Sequence, residues 1–529
     1  MRNYFKMVRL MFSADKKLLF KSLFIVILFL VLETLMPLYM QWMINQVELN
    51  KSIGQFILCA AFFALTYFSL CVLDAVRAET YEHLGKHVLW KTREKIYNVL
   101  WHSNYTKVVE RNRERFKFVL NTETYLVYAI TTVYTVNIMV TLLTLLAFLV
   151  IAFVINIGVA IILLIAFVSM LTMSFYSGKR ILTNYEKCDN ARESDAHINN
   201  ECVDMVEVTR TNGLMQYYLR KSRNSLESFI STSASSDKIE IFWTGIEQAI
   251  HYVIYVFIAG ILILSPNYSG GQLVTILFIT NYILDQSQSF QKQLQVIIKN
   301  IPVFDKVADV ADMPIEEGDD VEAISSIVFD SVRLQYADRE IFNNLSFEWK
   351  RGDKILIEGT NGSGKSSVLK MVVGLVSPAS GEIRINNKSI SEYNKQHLYK
   401  EICYISQEEL LLNESVEEYL RVISHTNTTN ETIAEWKRRL CLNAEIEQIS
   451  DSGRNLSGGE KKKILIIKTL LRKDASVVIL DEIDSGLDGE SKQIMKELEK
   501  KLLADEKKIV IKISHIDTDN EGYNKVIQM

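Results

Sequence analysis

The stretch Gly359-Thr360-Asn361-Gly362-Ser363-Gly364-Lys365-Ser366 fits the pattern G-x-x-x-x-G-K-[ST]. Glycines at these places permit a tight turn and a close approach of backbone amides to a phosphate. The lysine ammonium can reach terminal phosphates, and the serine hydroxyl can ligate magnesium. Chance alone would produce the pattern in roughly 2% of chains of this length. A second chemical element is Ser476-Val-Val-Ile-Leu480-Asp481-Glu482, an apolar run ending in two carboxylates. At the end of a buried strand beside a phosphate loop, Asp481 can hold magnesium or its water, and Glu482 can orient or deprotonate an attacking water. Taken alone, such a pair also reads as a cap after any buried strand. Third, Leu456-Ser457-Gly458-Gly459-Glu460 precedes the basic run Lys461 to Lys463 and an apolar helix. A serine and two glycines at a helix start make an anion site from free amides and the helix dipole. Finally, Lys508-Ile-Val-Ile-Lys-Ile-Ser514 reads as a strand that delivers His515, a candidate γ-phosphate contact.

These residues need an α/β scaffold, and the second half of the chain is patterned to supply one. Lys354-Ile-Leu-Ile-Glu358 reads as a short buried strand, and the residues after Lys365 read as a helix. Strand-like runs continue to alternate with helices, which predicts a largely parallel core sheet over residues 325–529. Ahead of it, Met313-Pro-Ile-Glu-Glu-Gly-Asp-Asp320 reads as a polar, turn-forming linker, extending over residues 313–324.

The first half, residues 1–312, is of another kind. Six stretches are near the roughly 20 apolar residues needed to cross a bilayer. They run approximately over residues 18–42, 53–73, 127–150, 152–176, 243–264 and 273–290. The third and fourth form one apolar block, and Asn156-Ile-Gly158 at its middle predicts a tight hairpin. Met1 to Lys17 carries five Lys/Arg, Arg77 to Leu126 carries ten and Lys179 to Phe242 carries nine, whereas the opposite loops hold only Lys51. The positive-inside rule then makes both termini and both long loops cytoplasmic. Low glycine and absent proline predict that these loops extend the membrane helices into the cytosol, turning back around Ser103 to Arg115 and Glu207 to Gly213. The amphipathic start, with Tyr4, Phe5, Val8, Met11 and Phe12, reads either as an interfacial helix or as a solvated N-terminus. The first apolar run is long enough to be a true span, so no cleavable signal peptide is expected.

Ionisable residues inside spans are costly and are functional candidates. Here they are Glu33, Asp74, Glu247 and Asp285, joined by His251, Asn281, Gln286 and a run of glutamines to Gln295, with Asp285 the leading candidate and Glu247 and His251 sharing one helix face at a spacing of four. One reading is an acidic, water-filled pathway for a cationic substrate, and the other is helix–helix hydrogen bonding. The six cysteines show no metal or redox spacing and read as reduced, packed thiols. A formal net charge of −4 gives no footprint for nucleic acid.

Over essentially its whole length the sequence resembles an ATP-binding cassette (ABC) transporter of the exporter type. The resemblance implies an all-α six-helix transmembrane domain followed by an α/β P-loop NTPase cassette. It implies that Gly359 to Ser366 is the Walker A loop, with Gly359, Asn361, Gly362, Ser363, Gly364, Lys365, Ser366 and Ser367 about the nucleotide. Asp481 then ends Walker B, Glu482 is the catalytic glutamate and His515 the switch histidine. Gln407, in Tyr404-Ile-Ser-Gln407, matches the glutamine that joins the magnesium site to the membrane helices, so the metal set is Ser366, Gln407 and Asp481. Tyr336, 23 residues before Gly359, is placed like the aromatic that stacks on adenine. Ser457, Gly458 and Gly459 of the signature would contact ATP held by another cassette, and Asp488 belongs to the loop that meets it. The implied cofactors are ATP and Mg2+, and the implied partner is a second copy of the chain. The polar, acidic pathway makes a peptide or peptide-derived natural product the first expected cargo, a cationic peptide among them; a drug or lipid pump is the second reading and an importer using the exporter fold the third, and the expected setting is a bacterial cell membrane. Three positions depart from the family pattern: Glu460 replaces the usual glutamine, Gly486 the usual alanine, and Asp484 a common threonine. No cysteine-protease domain precedes the first span, so leader-peptide cleavage is not expected.

Overall fold

The computed structural model describes every residue except 15, 49–52, 111–112, 265–267, 337–338, 361, 408, 425–427, 443–445, 484–486 and 514–520. The chain divides into two compact units. One comprises Met1–Val99 and Asn112–Met313, the other Leu100–Arg111 and Pro314–Met529.

The first unit is helical throughout. Lys16–Glu48 is apolar on all sides, which suits a helix surrounded by hydrocarbon or core. Ile53–His102 runs unbroken for 50 residues, about 75 Å at 1.5 Å per residue, more than twice a bilayer's hydrocarbon thickness. Four helices among the described residues are long and apolar enough to cross a membrane, and Ile157–Met173 is a shorter apolar stretch. The helix Gly270–Lys299, expected to carry the sixth span, is not one of the four, because glutamines, Asn281 and Asp285 interrupt its apolar face. Asn156 ends one helix at Ile155 and starts the next: its backbone is extended and its side chain accepts the Val159 N–H at 3.0 Å. That N-cap satisfies an amide the new helix leaves open, which is why the break falls there. The later turn lies at Asn212 and Gly213, between Val206–Thr211 and Met215–Ile263. Leu145, Phe148, Leu163, Met170, Ile258 and Ile283 pack the interior of this unit. Phe20, Phe24, Leu65, Phe68, Val154, Ile165 and Phe257 point outward instead, a distribution that suits a lipid environment. The N-terminal helix Arg2–Ala14 buries Tyr4 and Met11, with the Tyr4 hydroxyl 2.9 Å from Thr135 Oγ1, and leaves Phe5 and Phe12 exposed.

The second unit holds two sheets. Its strands are β1 Ser326–Tyr336, β2 Arg339–Lys350, β3 Lys354–Glu358, β4 Ser380–Ile385, β5 Lys388–Ser389, β6 Ile402–Ile405, β7 Val477–Asp481, β8 Ile509–Ile513 and β9 Lys525–Gln528. An antiparallel sheet has the order β2-β1-β4-β5, and a sheet whose pairings are all parallel has the order β6-β7-β8-β3-β9. Every residue of the inner strands β3, β7 and β8 is buried, as a parallel sheet covered on both faces requires. Alternate side chains serve opposite cores. Val477, Ile479, Ile509 and Ile511 pack with Trp349 and Ile355, while Val478, Leu480 and Val510 pack with Ile464 and Ile467.

Residues 313–324 differ from a free linker. Asp319 N–H donates to the Glu392 carbonyl at 2.8 Å, its own carbonyl accepts from Asn394 N–H at 2.8 Å, and Val321 and Ile324 are buried. The turn after the helix Ile53–His102 also belongs to this unit. Ser103 Oγ donates to the Pro314 carbonyl at 2.8 Å, Asn104 Nδ2 to Glu316 Oε1 at 3.0 Å, and Thr106 Oγ1 to the Leu375 carbonyl at 3.4 Å.

Candidate functional site

The phosphate-binding pattern follows β3 and opens the helix Lys365–Val372. Two of its glycines are sterically required. Gly359 has φ +155° and a Cβ there would lie 2.4 Å from the Met529 carbonyl oxygen; Gly364 has φ +102° and a Cβ would lie 2.6 Å from Ile341. Lys365 folds back over the loop and donates to the carbonyls of Gly359 at 2.7 Å and Thr360 at 3.0 Å. The Ser363 hydroxyl is buried within the loop and has no hydrogen-bond partner. Ser367 is half-buried one turn into the helix.

The parallel pairing carries β7 to the same end of the sheet, so Asp481 meets the loop. The Ser366 hydroxyl hydrogen-bonds the Asp481 carboxyl, which is pushed up to about 6, first by burial and then by the charge of Glu482. Lys365 and Lys370 oppose that rise. Glu482 has a left-handed backbone, φ +53°, which an ordinary side chain adopts only under local constraint. Gln407, just beyond β6, donates Nε2–H to Glu482 Oε2 at 2.7 Å. Ser366, Asp481, Glu482 and Gln407 therefore converge at the carboxyl ends of β3, β6 and β7. Hard oxygen donors at Ser366 and Asp481, flanked by the Gln407 amide, are of the kind that binds Mg2+.

Ser457 caps the helix Gly458–Leu471 in a two-way capping box with Glu460. The Ser457 hydroxyl donates to Glu460 Oε2 at 2.7 Å and its amide donates to the same oxygen at 2.8 Å. These bonds, the hydroxyl's first, hold the Glu460 carboxyl below its usual range. Gly458 is exposed and Gly459 half-buried, and no hydrogen bond of the described residues joins this motif to the phosphate loop. Asp488 caps Gly489–Ala504 and pairs with Lys463 of the signature helix at 2.8 Å, which lowers its pKa. Tyr336 ends β1 opposite Arg339. Its side chain, Asn361, Asp484, Gly486 and His515 lie outside the described residues.

The membrane-half candidates do not form one group. Glu33 accepts a hydrogen bond from the Tyr282 hydroxyl, which accepts another from Gln286 Nε2 at 3.1 Å. Asp285 is exposed, bonded to Asn281 Nδ2 at 3.0 Å, with His251 Nδ1 at 3.8 Å. Glu247 is buried, with no hydrogen-bond partner at either carboxylate oxygen. Sequence reasoning overlooked Arg77 and Tyr282, which line the same cavity as Glu33. Arg77 was counted only as loop charge; its i, i+3 spacing from Asp74, with which it pairs, was the available signal.

Residues 342–485 match the family model described as ABC transporter. A probable ABC transporter ATP-binding/permease protein of Haemophilus influenzae is 27% identical over 267 residues, 49% of this chain and 46% of that protein. The transport/processing ATP-binding protein ComA of Streptococcus pneumoniae is 27% identical over 286 residues, 49% of this chain and 39% of ComA. The chain thus matches less than half the length of these relatives. Among solved structures, a bacterial Atm1-family ABC exporter with ATP bound aligns with a TM-score of 0.82 over 94% of this chain and 91% of that one, at 17% identity. The cassette thus belongs to the ABC transporter family, and the chain that carries it has the fold of an ABC exporter, its helical and nucleotide-binding halves fused in one polypeptide.

Proposed function

We propose that this protein hydrolyses ATP to drive export across a membrane, working as a dimer of two copies with two composite ATP sites. The convergence of Ser366, Asp481, Glu482 and Gln407 around the loop at Gly359 to Ser366 carries this reading. In the proposed site the loop amides and Lys365 hold the β- and γ-phosphates, Lys365 leaving the carbonyls of Gly359 and Thr360 to do so. Ser366, Asp481 and Gln407 are the residues that would hold Mg2+, which when bound neutralises charge developing on the phosphates. Glu482 orients the attacking water and takes its proton, and His515 assists at the γ-phosphate. Gln407 now donates to one oxygen of Glu482.

Tyr336 stacks on adenine in this reading. Ser457, Gly458 and Gly459 reach the γ-phosphate of ATP on the other copy, and Asp488 lies in the loop meeting it. Closing the cassettes moves the turns at Ser103 to Arg111 and Glu207 to Gly213, and the spans with them. Both termini are cytoplasmic. The cargo is a peptide or peptide-derived compound, a reading supported by the polar side chains that line the helical unit's cavity; drugs and lipids are the competing classes. Glu482→Gln in liposomes should lower ATPase activity by about 10²-fold or more while ATP binding persists. Unchanged turnover would defeat the proposal.

A further inference from the structure

A cavity of ≈ 220 Å³ opens inside the helical unit among Glu33, Arg77, Asn137, Thr141, Gln286 and Gln293. A second of ≈ 590 Å³ shares Arg77 and Asn137 with it, and adds Asp74, Glu82, Lys86 and several tyrosines. Between them the two cavities present both signs of charge. Acidic residues alone had suggested a path for cations; the guanidinium beside Glu33 changes that expectation.

We propose that Glu33 and Arg77 recognise the free amino and free carboxyl ends of a zwitterionic, peptide-like ligand. Glu33 uses one carboxylate oxygen for the Tyr282 hydroxyl, while Oε2 is buried without a hydrogen-bond partner. Gln293 Oε1, lining the same cavity, is a second buried acceptor without a partner. Such acceptors are costly to leave unmet, and an ammonium, with three donors and no acceptor, suits Glu33 Oε2. Arg77 sends Nη2 to Asp74 and its guanidinium carbon lies 4.9 Å from the centre of the Phe29 ring, two contacts that restrain the side chain. That guanidinium has further donors in a fork that matches a carboxylate. Asn137, Thr141 and Gln286, which line the same cavity, suit the peptide groups of a backbone. A hydrophobic cation would meet Arg77 as a like charge, and an acyl chain would strand every one of these polar groups.

The inference rests on the export reading above, and one experiment separates their failures. ATPase of the full-length protein in liposomes is measured with a pool of tripeptides in four forms: free-ended, N-acetylated, C-amidated and doubly capped. The free-ended pool should stimulate several-fold, and capping either end should remove most of that gain. Glu33→Gln should no longer distinguish free from N-acetylated peptides, and Arg77→Gln should no longer distinguish free from C-amidated ones. Circular dichroism and thermal melting beside wild type report that each variant folds; where Glu33→Gln does not, Glu33→Asp takes its place, and where Arg77→Gln does not, Arg77→Lys, which lacks the planar fork, takes its place. Equal stimulation by the doubly capped pool, stimulation by ethidium alone, no stimulation by any pool, or wild-type discrimination in the variants overturns the proposal. Absent Glu482-dependent basal turnover would instead refute the export reading.

Discussion

Glu460 and Asp481 are acids whose surroundings push them in opposite directions. Glu460 is exposed enough to be solvated and is held ionised by Ser457, whose hydroxyl the export reading assigns to a γ-phosphate. Glu460→Gln keeps a residue able to complete the capping box but removes a negative charge from an anion site. It should lower the KM for ATP roughly two- to threefold, the scale of a solvent-screened charge, and high salt should erase the difference. ATP titrations at two ionic strengths test this, and an unchanged or higher KM at low salt counts against it. Asp481 is buried beside Glu482, and its folded value near 6 exceeds that of an unfolded aspartate. Stability is therefore greatest while the group is protonated and falls as pH rises through about 6. Asp481→Asn at pH 7.5 without magnesium should raise the Tm of the cassette transition, by about 2–4 °C if 1 kcal/mol is relieved, while abolishing ATPase. An unaltered or lower Tm would show that the carboxylate is not a strained group.

Among the elements, β7 carries the most. Ile479 is fully buried between strands and against the Trp349 side of the core, so Ile479→Ala should cost about 2–5 kcal/mol and lower the cassette Tm accordingly. Scanning calorimetry of the full-length protein would read it, and a shift near zero would mean that the core collapses around the cavity. The strands of the parallel sheet were legible because each is a short apolar run between turn residues. The hairpin of β4 and β5 was legible too but went unread: Asn386 and Asn387 both have positive φ, as a type I′ turn demands. The two π-helical turns at Val119–Glu123 and Ile130–Tyr134 carry no such signal, since an extra residue per turn leaves composition unchanged. The linker's polar residues read as turn-forming in the sequence, and backbone bonds to Glu392 and Asn394 fasten it to the cassette.

For the whole molecule, the dimer proposal has a direct complementation test. A Lys365→Ala chain lacks a phosphate loop and a Ser457→Ala chain lacks a signature, so either homodimer has two defective sites. Mixed dimers regain one intact site, and random pairing should restore roughly a quarter of wild-type ATPase. Co-expressed chains that stay as inactive as either parent would rule out composite sites.

The chemistry of the nucleotide site was determined by sequence alone, because its residues lie in contiguous motifs and parallel strands bring like ends together. The amphipathic and apolar periods likewise determined where helices run. Which side chains meet was decided only by the tertiary structure. Gln407 bonds Glu482 across 75 residues, and Tyr282 reaches Glu33 across 249. No local period encodes contacts of that span, since they depend on how whole helices and strands pack. The same packing set Arg77 into the cavity of Glu33.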